Sequence, residues 1–551
     1  MKTLQLLAVA ALVLLESASD AAPVTPTSVP LNGWFKCSRS TLNAGAKQKH
    51  DDDYYMQTKG RHHHHKHHVE HEITQQDEHT RRALRMPRVL VGEQRRRTLP
   101  FLQKQQSLEW MAREQQHNVV AAEKTDHHSR HKSAKGYFDH DDDEGDLPYE
   151  CAEFRVPLCY EGICTSNRTI DVFVKRMVAK PLANASEKKK SLWVLQGGPG
   201  ASSTAMEGLM DSLYDELDSK VSLYTMDHRG TARSNRLICE AAQAGTTGSP
   251  SGTAIGVEEV PACIQDVLFQ IDNQTAAFSV TSAAMDLKSV IDNHLADEDV
   301  FVYGLSYGTY LVERLIHFAP KAVKGFSVDG IVSEFGLDEK TRATYSNWDR
   351  DVGIVADRFL AHCLKDPFCK SKFPNMWEQP SPDKATLVQW YENATMASDN
   401  FYVLPYYCLF TGSKEKACAE LKNLPPSLPF MYKRDEYWNV PAKLPENVTA
   451  LLMVGGLDVQ TRRAYGKTEF DDIDGDKMLV NFEYAGHCTT FTTPTKSGKG
   501  ACGMRVLASF VRENGVVSNV DTTCVGETYA LEFHDSASQG SDLFGTRSLY
   551  G

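Results

Sequence analysis

Asp299-Val300-Phe301-Val302-Tyr303 is a short β-branched and aromatic run, and Gly304-Leu305-Ser306-Tyr307-Gly308 follows it without a break. Leu311, Leu315 and Phe318 then recur at helical spacing before Pro320. The pattern predicts a buried strand, a tight turn and a helix. A serine in such a turn is lifted clear of the carboxyl end of its sheet, and the flanking glycines let strand and helix approach closely. Without that context the five-residue pattern means little; with it, Ser306 is a candidate nucleophile. The bland alternative is a glycine-rich turn with an inert serine.

Three further apolar runs end the same way. Leu192-Trp193-Val194-Leu195-Gln196 empties into Gly197-Gly198-Pro199-Gly200. Consecutive glycines present backbone N–H groups without side-chain obstruction. A developing oxyanion needs such donors, and losing one costs about 3 kcal/mol. Gly198 and Tyr307, the residue after the serine, are the expected pair. A phosphate-cradling loop is the competing reading, but no Gly-Lys-Ser/Thr follows. Ala450-Leu451-Leu452-Met453-Val454 ends in Gly455-Gly456-Leu457-Asp458, and Met478-Leu479-Val480-Asn481-Phe482 ends in Tyr484-Ala485-Gly486-His487. Strands separated by helical stretches predict an α/β fold with a doubly wound, mostly parallel sheet. Such sheets place their sites at strand carboxyl ends. Asp458 and His487 are therefore the expected acid and base. Asp329, after the run 323–328, is the rival acid. His294 and His317, on helix-like stretches, are read as structural. Asp227 and Arg229, in Asp227-His228-Arg229-Gly230 after the run 221–226, are expected to brace the glycine loop.

Composition divides the chain. Of 20 His among 551 residues, 14 fall between positions 50 and 140, a stretch otherwise full of Arg, Lys, Gln and Asp. It holds no sustained apolar period, and such composition cannot bury enough surface to offset ordering entropy. Residues 23–145 are expected to be a disordered leader, either a removable pro-segment or an inert spacer. Residues 146–551 have ordinary core composition, and the whole chain carries a formal net charge of −12. An acidic folded part argues against nucleic-acid binding, which needs clustered cations.

Residues 1–22 have a basic start, an apolar stretch of 12 residues and a small-residue exit, the pattern of a secretory signal peptide. That stretch is too short to span a bilayer, and no membrane association is expected. Thirteen Cys suit an oxidising compartment. Twelve lie at or beyond Cys151, the even number that full pairing would need, with Cys37 left in the leader. Cys363 with Cys369, Cys408 with Cys418 and Cys502 with Cys524 are short-range candidates. Asn167, Asn184, Asn273, Asn393 and Asn447 open glycosylation triplets. A secreted glycoprotein is expected, and nothing in the folded part implies a metal or organic cofactor.

These residues together resemble the α/β-hydrolase serine peptidases related to proline iminopeptidases and tripeptidyl aminopeptidases, most closely the secreted branch with the tripeptidyl-aminopeptidase-like C-terminal region. The opening strands, with Val156-Pro157-Leu158, Ile170-Asp171-Val172 and Arg176, come first. Gly197 to Gly200, the run 227–234, Gly304 to Gly308, Val328-Asp329-Gly330, Asp458 with Thr461, and Gly486-His487 then follow in the family's order. The stretch 502–524 resembles that region's end. The resemblance covers about residues 149–524. It implies a core in two parts, 146–332 and 446–530, a mainly helical cap at 333–445, and a polar tail at 531–551. It also implies a Ser306–His487–Asp458 triad that releases single residues or short fragments from the free N-terminus of peptide substrates. In the family the cap carries acids that hold the substrate amine, and Glu334, Asp338, Glu339, Asp349 and Asp351 are in range. Three departures stand out. Gln196 replaces the usual His, Ala232 the second Gly of the R-G-x-G pattern, and Arg462 the Pro after the Thr. The first argues against strict proline specificity. An esterase or lipase with the same triad, and a catalytically silent binding protein on the same fold, are the rival readings.

Overall fold

The structure is a computed structural model. It describes residues 30–39, 149–371 and 399–534, except 183, 185, 241, 243–248, 250–254, 334, 336–337, 339–341 and 432–433. The chain divides into two compact units, 1–37 with 133–551, and 38–132. All described residues except Ser38 and Arg39 belong to the first unit. The expected signal peptide, the His runs and the polar tail beyond 534 lie outside the described residues.

A nine-stranded sheet runs in the order β1-β2-β3-β5-β4-β6-β7-β8-β9. Its strands are β1 Phe35–Lys36, β2 Tyr149–Pro157, β3 Thr169–Met177, β4 Lys190–Leu195, β5 Val221–Met226, β6 Asp299–Leu305, β7 Val323–Asp329, β8 Thr449–Gly455 and β9 Lys477–Phe482. β1, β2 and β3 are antiparallel, β3 joins β5 antiparallel, and β5 through β9 are parallel. Side chains alternate across the parallel strands. Trp193, Val300 and Val302 face one core, while Leu192, Val194, Phe301 and Tyr303 face the other. Burial on both faces is why these strands read as unbroken apolar runs.

Helices cover both faces. α1 (Glu207–Glu216) and α11 (Cys502–Arg512) close one core. α3 (Val280–His294) and α4 (Tyr307–Phe318) close the other, while α2 (Val260–Gln270) packs in smaller satellite clusters. Between β7 and β8 the chain makes α5 (Tyr345–Lys365), α6 (Pro367–Ser371), α7 (Asp399–Thr411) and α8 (Lys416–Glu420). α9 (Arg463–Asp472) follows β8, and α10 (Thr489–Thr492) follows β9. A doubly wound parallel sheet with the serine turn after a central strand and a helical insertion is the α/β-hydrolase architecture.

Six disulfides join Cys37–Cys151, Cys159–Cys164, Cys239–Cys263, Cys363–Cys369, Cys408–Cys418 and Cys502–Cys524, and Cys488 is free and buried. Cys363–Cys369, Cys408–Cys418 and Cys502–Cys524 are the pairs read from spacing, while Cys159–Cys164, the shortest in range, was not among them. The other expectation needs correction: Cys37 is bonded to the fold, and the odd cysteine is Cys488. Residues 30–37 are therefore part of the core unit and not of the leader. Trp34 explains why. Its ring packs on Phe154 and His294, lies under the Arg176 guanidinium at 3.8 Å, and donates from Nε1 to His294 Nε2 at 3.2 Å. Two adjacent aromatics, Trp34 and Phe35, in a short stretch carry no period, so sequence pattern alone did not separate them from their surroundings.

Glu469 of α9 is fully buried. Burial pushes its carboxyl up to about 8, against the opposing pull of Glu313 and Ser333. Because this folded-state value lies above that of the unfolded chain, the native protein holds a proton that the unfolded chain releases above about pH 4.5. Stability should fall as pH rises from there to 8. We expect Tm to drop by roughly a few degrees across that window, and Glu469→Gln to flatten the dependence. An unchanged slope in that variant, followed by thermal melts, would contradict the assignment.

Candidate active site

The parallel sheet reverses its winding between β4 and β6, the switch point at which such sheets open a crevice at their carboxyl ends. The glycine loop leaves β4 there, and Ser306 leaves β6 beside it. Ser306 has φ 53° and ψ −125°, a left-handed conformation that costs a non-glycine residue about 1–2 kcal/mol. The two flanking glycines make it possible. A methyl carbon at Gly304 would lie 2.3 Å from the Gly308 carbonyl oxygen. On the loop side, a methyl carbon at Gly197 would lie 3.2 Å from Ser306 Oγ. The glycine loop and the serine hydroxyl are thus in direct apposition.

The loop is braced from beneath. Gln196, fully buried, spans it by donating from Nε2 to the Ala201 carbonyl at 3.0 Å. Asp227 accepts from the Ser203 N–H at 2.7 Å, from Ser202 Oγ at 3.3 Å and from Arg233 Nε at 2.6 Å. Burial opposes its charge, but Arg233 and Ser203 hold the carboxyl below its ordinary value. Asp227 thus reaches the chain just beyond the glycine loop through Ser202 and Ser203. Arg229, expected to brace the same loop, does not reach it, and its position corrects the sequence reading. Arg229 is buried against Asp286 at 2.5 Å and donates to the carbonyls of Pro157, Leu158 and Ala277. It ties the end of β2 to α3, away from the loop. Arg233, four residues later, takes the contact instead. Ala232, where the family pattern has Gly, sits at φ 38°, a conformation that favours glycine.

Asp458 and His487 meet at the far end of the same rim. His487 Nδ1 lies 2.8 Å from Asp458 Oδ2 and 3.1 Å from Thr461 Oγ1. Asp458 is held by four donors: the imidazole, the Thr461 hydroxyl at 2.7 Å, and the N–H groups of Gln460 and Thr461, both at 2.8 Å. An acid fixed this way sets the tautomer with Nδ1 protonated and leaves Nε2 free to act as base.

The end of β7 joins the two halves. The Asp329 carbonyl accepts the Ser306 N–H at 2.9 Å. The next residue, Gly330, faces the imidazole so closely that a methyl carbon there would lie 2.9 Å from His487 Cε1. Ser306 and His487 therefore flank the pair Asp329-Gly330. Ser306 Oγ forms no hydrogen bond to a described group, His487 included. Apo sites often tighten only when substrate binds. The Asp329 carboxylate itself does not reach His487. Fully buried, it accepts from the N–H of Thr489 at 2.7 Å, the N–H of Thr490 at 2.9 Å and the Tyr303 hydroxyl at 3.1 Å. It thereby pins the chain just beyond His487. Sequence reading cast it as a rival acid and missed this anchoring role, since no local pattern signals a carboxylate that caps a distant loop.

The electrostatics favour a cationic imidazole. Burial works against the charge on His487, but Cys488 and Asp458 outweigh it and hold the ring well above its ordinary value. Burial pushes the Cys488 thiol up, while the imidazole beside it pulls the other way. A base must be neutral to accept a proton. The acid limb of the kcat/KM profile is therefore expected above pH 6.5, the reference value for an unshifted imidazole. A limb centred below that pH would contradict the geometry.

The third departure from the family pattern has a structural role. Arg462 Nε lies 3.3 Å from Asp351 Oδ1 on α5, and Asp351 also pairs with Arg350 at 2.7 Å and accepts from the Tyr465 hydroxyl. The residue beside the acid turn thus ties the core to the helical insertion. Asp351 is committed by these partners and is corrected as an amine-binding candidate. Asp338 and Asp349 are exposed, and Glu334 and Glu339 lie outside the described residues. Asn167, Asn184, Asn273 and Asn447 are exposed, and Asn393 lies outside the described residues. His294 and His317 contact Trp34 and Tyr437 respectively, away from the rim. Among the described residues no group of three or more His, Cys, Asp or Glu could hold a metal ion, and no helix is long and apolar enough to cross a membrane.

The strand order and the helices on both faces of the sheet define the α/β-hydrolase fold. No family model matches the chain. The putative hydrolase YuaR of Escherichia coli K12 is 22% identical over 228 residues, 40% of this chain and 43% of that protein. The match thus spans less than half of the curated relative. Among solved structures, proline iminopeptidase from Mycobacterium smegmatis is 14% identical with a TM-score of 0.32, covering 63% of this chain and 97% of that one. An esterase from Exiguobacterium antarcticum is 14% identical with a TM-score of 0.29, covering 58% and 89%. Mouse α/β-hydrolase domain-containing protein 10 is 10% identical with a TM-score of 0.29, covering 65% and 98%.

Proposed function

We propose that the protein is a secreted serine hydrolase that cleaves peptide bonds near the free N-terminus of its substrates. The observation that carries the reading is the Asp458–His487 hydrogen bond on the rim where Ser306 sits in its left-handed turn. In this reading His487 Nε2 takes the Ser306 proton as Oγ attacks the acyl carbon. The N–H groups of Gly198 and Tyr307 receive the oxyanion. The imidazolium then protonates the leaving amine, and water, activated by the same ring, releases the acyl group from Ser306. Export through residues 1–22 is part of the proposal, and six disulfides support it, since such bonds persist in oxidising surroundings. The exposure of the asparagines that open four of the five glycosylation triplets accords with it.

Support for peptides over esters comes from the ordered motifs around the triad and from the helical insertion above it. The test compares a free-amine peptide anilide, its N-acetylated twin and a short-chain ester. An aminopeptidase turns over the first at least tenfold faster than the second. Equal rates on both anilides, with the ester far ahead, would replace the peptidase reading by the esterase one.

A further inference from the structure

The rim does not end at the glycine loop. On the side away from His487, the loops leaving β4 and β5 line an open cavity of about 380 Å³, whose walls include Gly200, Ser202, Thr231, Arg236 and Leu237. Its polar groups are mostly occupied. Ser202 Oγ turns to Asp227, and Thr231 Oγ1 donates to the His228 carbonyl at 2.8 Å. Of the three arginines on this loop, Arg229 is bound to Asp286 and Arg233 to Asp227. Arg236 forms no ion pair or hydrogen bond with a described residue. Among the described residues no acidic side chain lines the cavity, although the chain as a whole carries a net charge of −12. A guanidinium with all its donors to spare, in a recess without a carboxylate, is a receptor for an anion with two oxygens.

Its place in the sheet assigns the anion to one part of the substrate. Along the order β5-β4-β6-β7-β8-β9 the cavity stands at β4 and β5, Ser306 at β6, and the acid and base at β8 and β9. The leaving group must lie within reach of His487, which protonates it, so it exits toward β8 and β9. The acyl portion is left to run the other way, past Gly198 and Gly200. We propose that this cavity binds a carboxylate on the acyl portion of the substrate through Arg236, so that peptides with Asp or Glu among the residues released are preferred. This rests on the serine-hydrolase reading and deepens it.

The test uses the full chain and matched p-nitroanilides, aminoacyl and tripeptidyl, in which one residue is glutamate or its isostere glutamine. Arg236 is exposed, and such pairs are weak. The expected preference in kcat/KM for glutamate is therefore about three- to fivefold, carried by KM and reduced as salt is raised. Arg236→Gln should bring the ratio near one, and Arg236→Glu should invert it. A wild-type ratio of one, or a preference that survives both substitutions, overturns the inference. So does labelling of Ser306 by a fluorophosphonate without turnover of either substrate. Absence of labelling overturns the serine-hydrolase reading and the inference with it.

Discussion

Ser306→Ala is expected to lower kcat/KM by about four to six orders of magnitude, the range seen when a triad nucleophile is removed, and to leave the fold intact. Each half of that expectation has a structural reason. The hydroxyl stands free at the switch point, opposite the glycine loop, and no other described side chain could take its place in the same turn. Because Oγ makes no hydrogen bond to a described group, its removal orphans no partner. Alanine keeps the Cβ and so meets the same left-handed backbone cost as serine. Tm should therefore shift by no more than about 2 °C, a change of the size surface substitutions produce. The paired measurements are kcat/KM on the best anilide and a thermal melt. Retained turnover would remove the nucleophile assignment. Lost turnover with a collapsed Tm would show that Ser306 is needed for folding instead.

The second large effect is Asp458→Asn, with an expected loss in kcat of about 10⁴. Both Asp458 oxygens accept hydrogen bonds, two at each oxygen. An amide nitrogen at either position would face a donor. If it turned toward His487, the ring would protonate Nε2 and could no longer take the serine proton. Asp329→Asn provides the contrast. There the loss acts through the displaced Thr489-Thr490 segment, so a smaller fall in kcat, on the order of 10- to 100-fold, should accompany a lower Tm, since a broken buried network destabilises. Equal losses at the two positions, or a larger one at Asp329, would reverse the acid assignment.

The two carboxylates also show how far sequence reading reaches. Both follow apolar strands, both stand at carboxyl ends, and nothing local separates them. Chain order favoured Asp458 only because another strand and His487 come after it. In the fold, β7 lies between β6 and β8, so Asp329 is nearer the serine in the sheet, yet its carboxylate turns down to cap the chain beyond His487. Arg229 and Arg233 repeat the lesson. Each could brace the glycine loop by its position in sequence, and the direction of the β5 exit turn sends one to α3 and the other to Asp227. Arg462 looked like a simple departure from the family pattern. Asp351, its partner, lies more than a hundred residues away on the insertion.

What the chain determined by itself was the set of strand ends. A strand buried on both faces is apolar at most positions, so it stands out from its surroundings, and the glycines and polar residues that end it mark the rim. Ser306, Gly197, Asp458 and His487 were legible for that reason, as were the disulfides Cys363–Cys369, Cys408–Cys418 and Cys502–Cys524, while the still shorter Cys159–Cys164 was not read from spacing. Tertiary structure alone decided which ends face one another, that Trp34 and Cys37 belong to the core, and that Arg236 opens on a recess without a counterion. Those outcomes depend on strand order and on the directions of loops between distant segments, and neither is encoded in any local period.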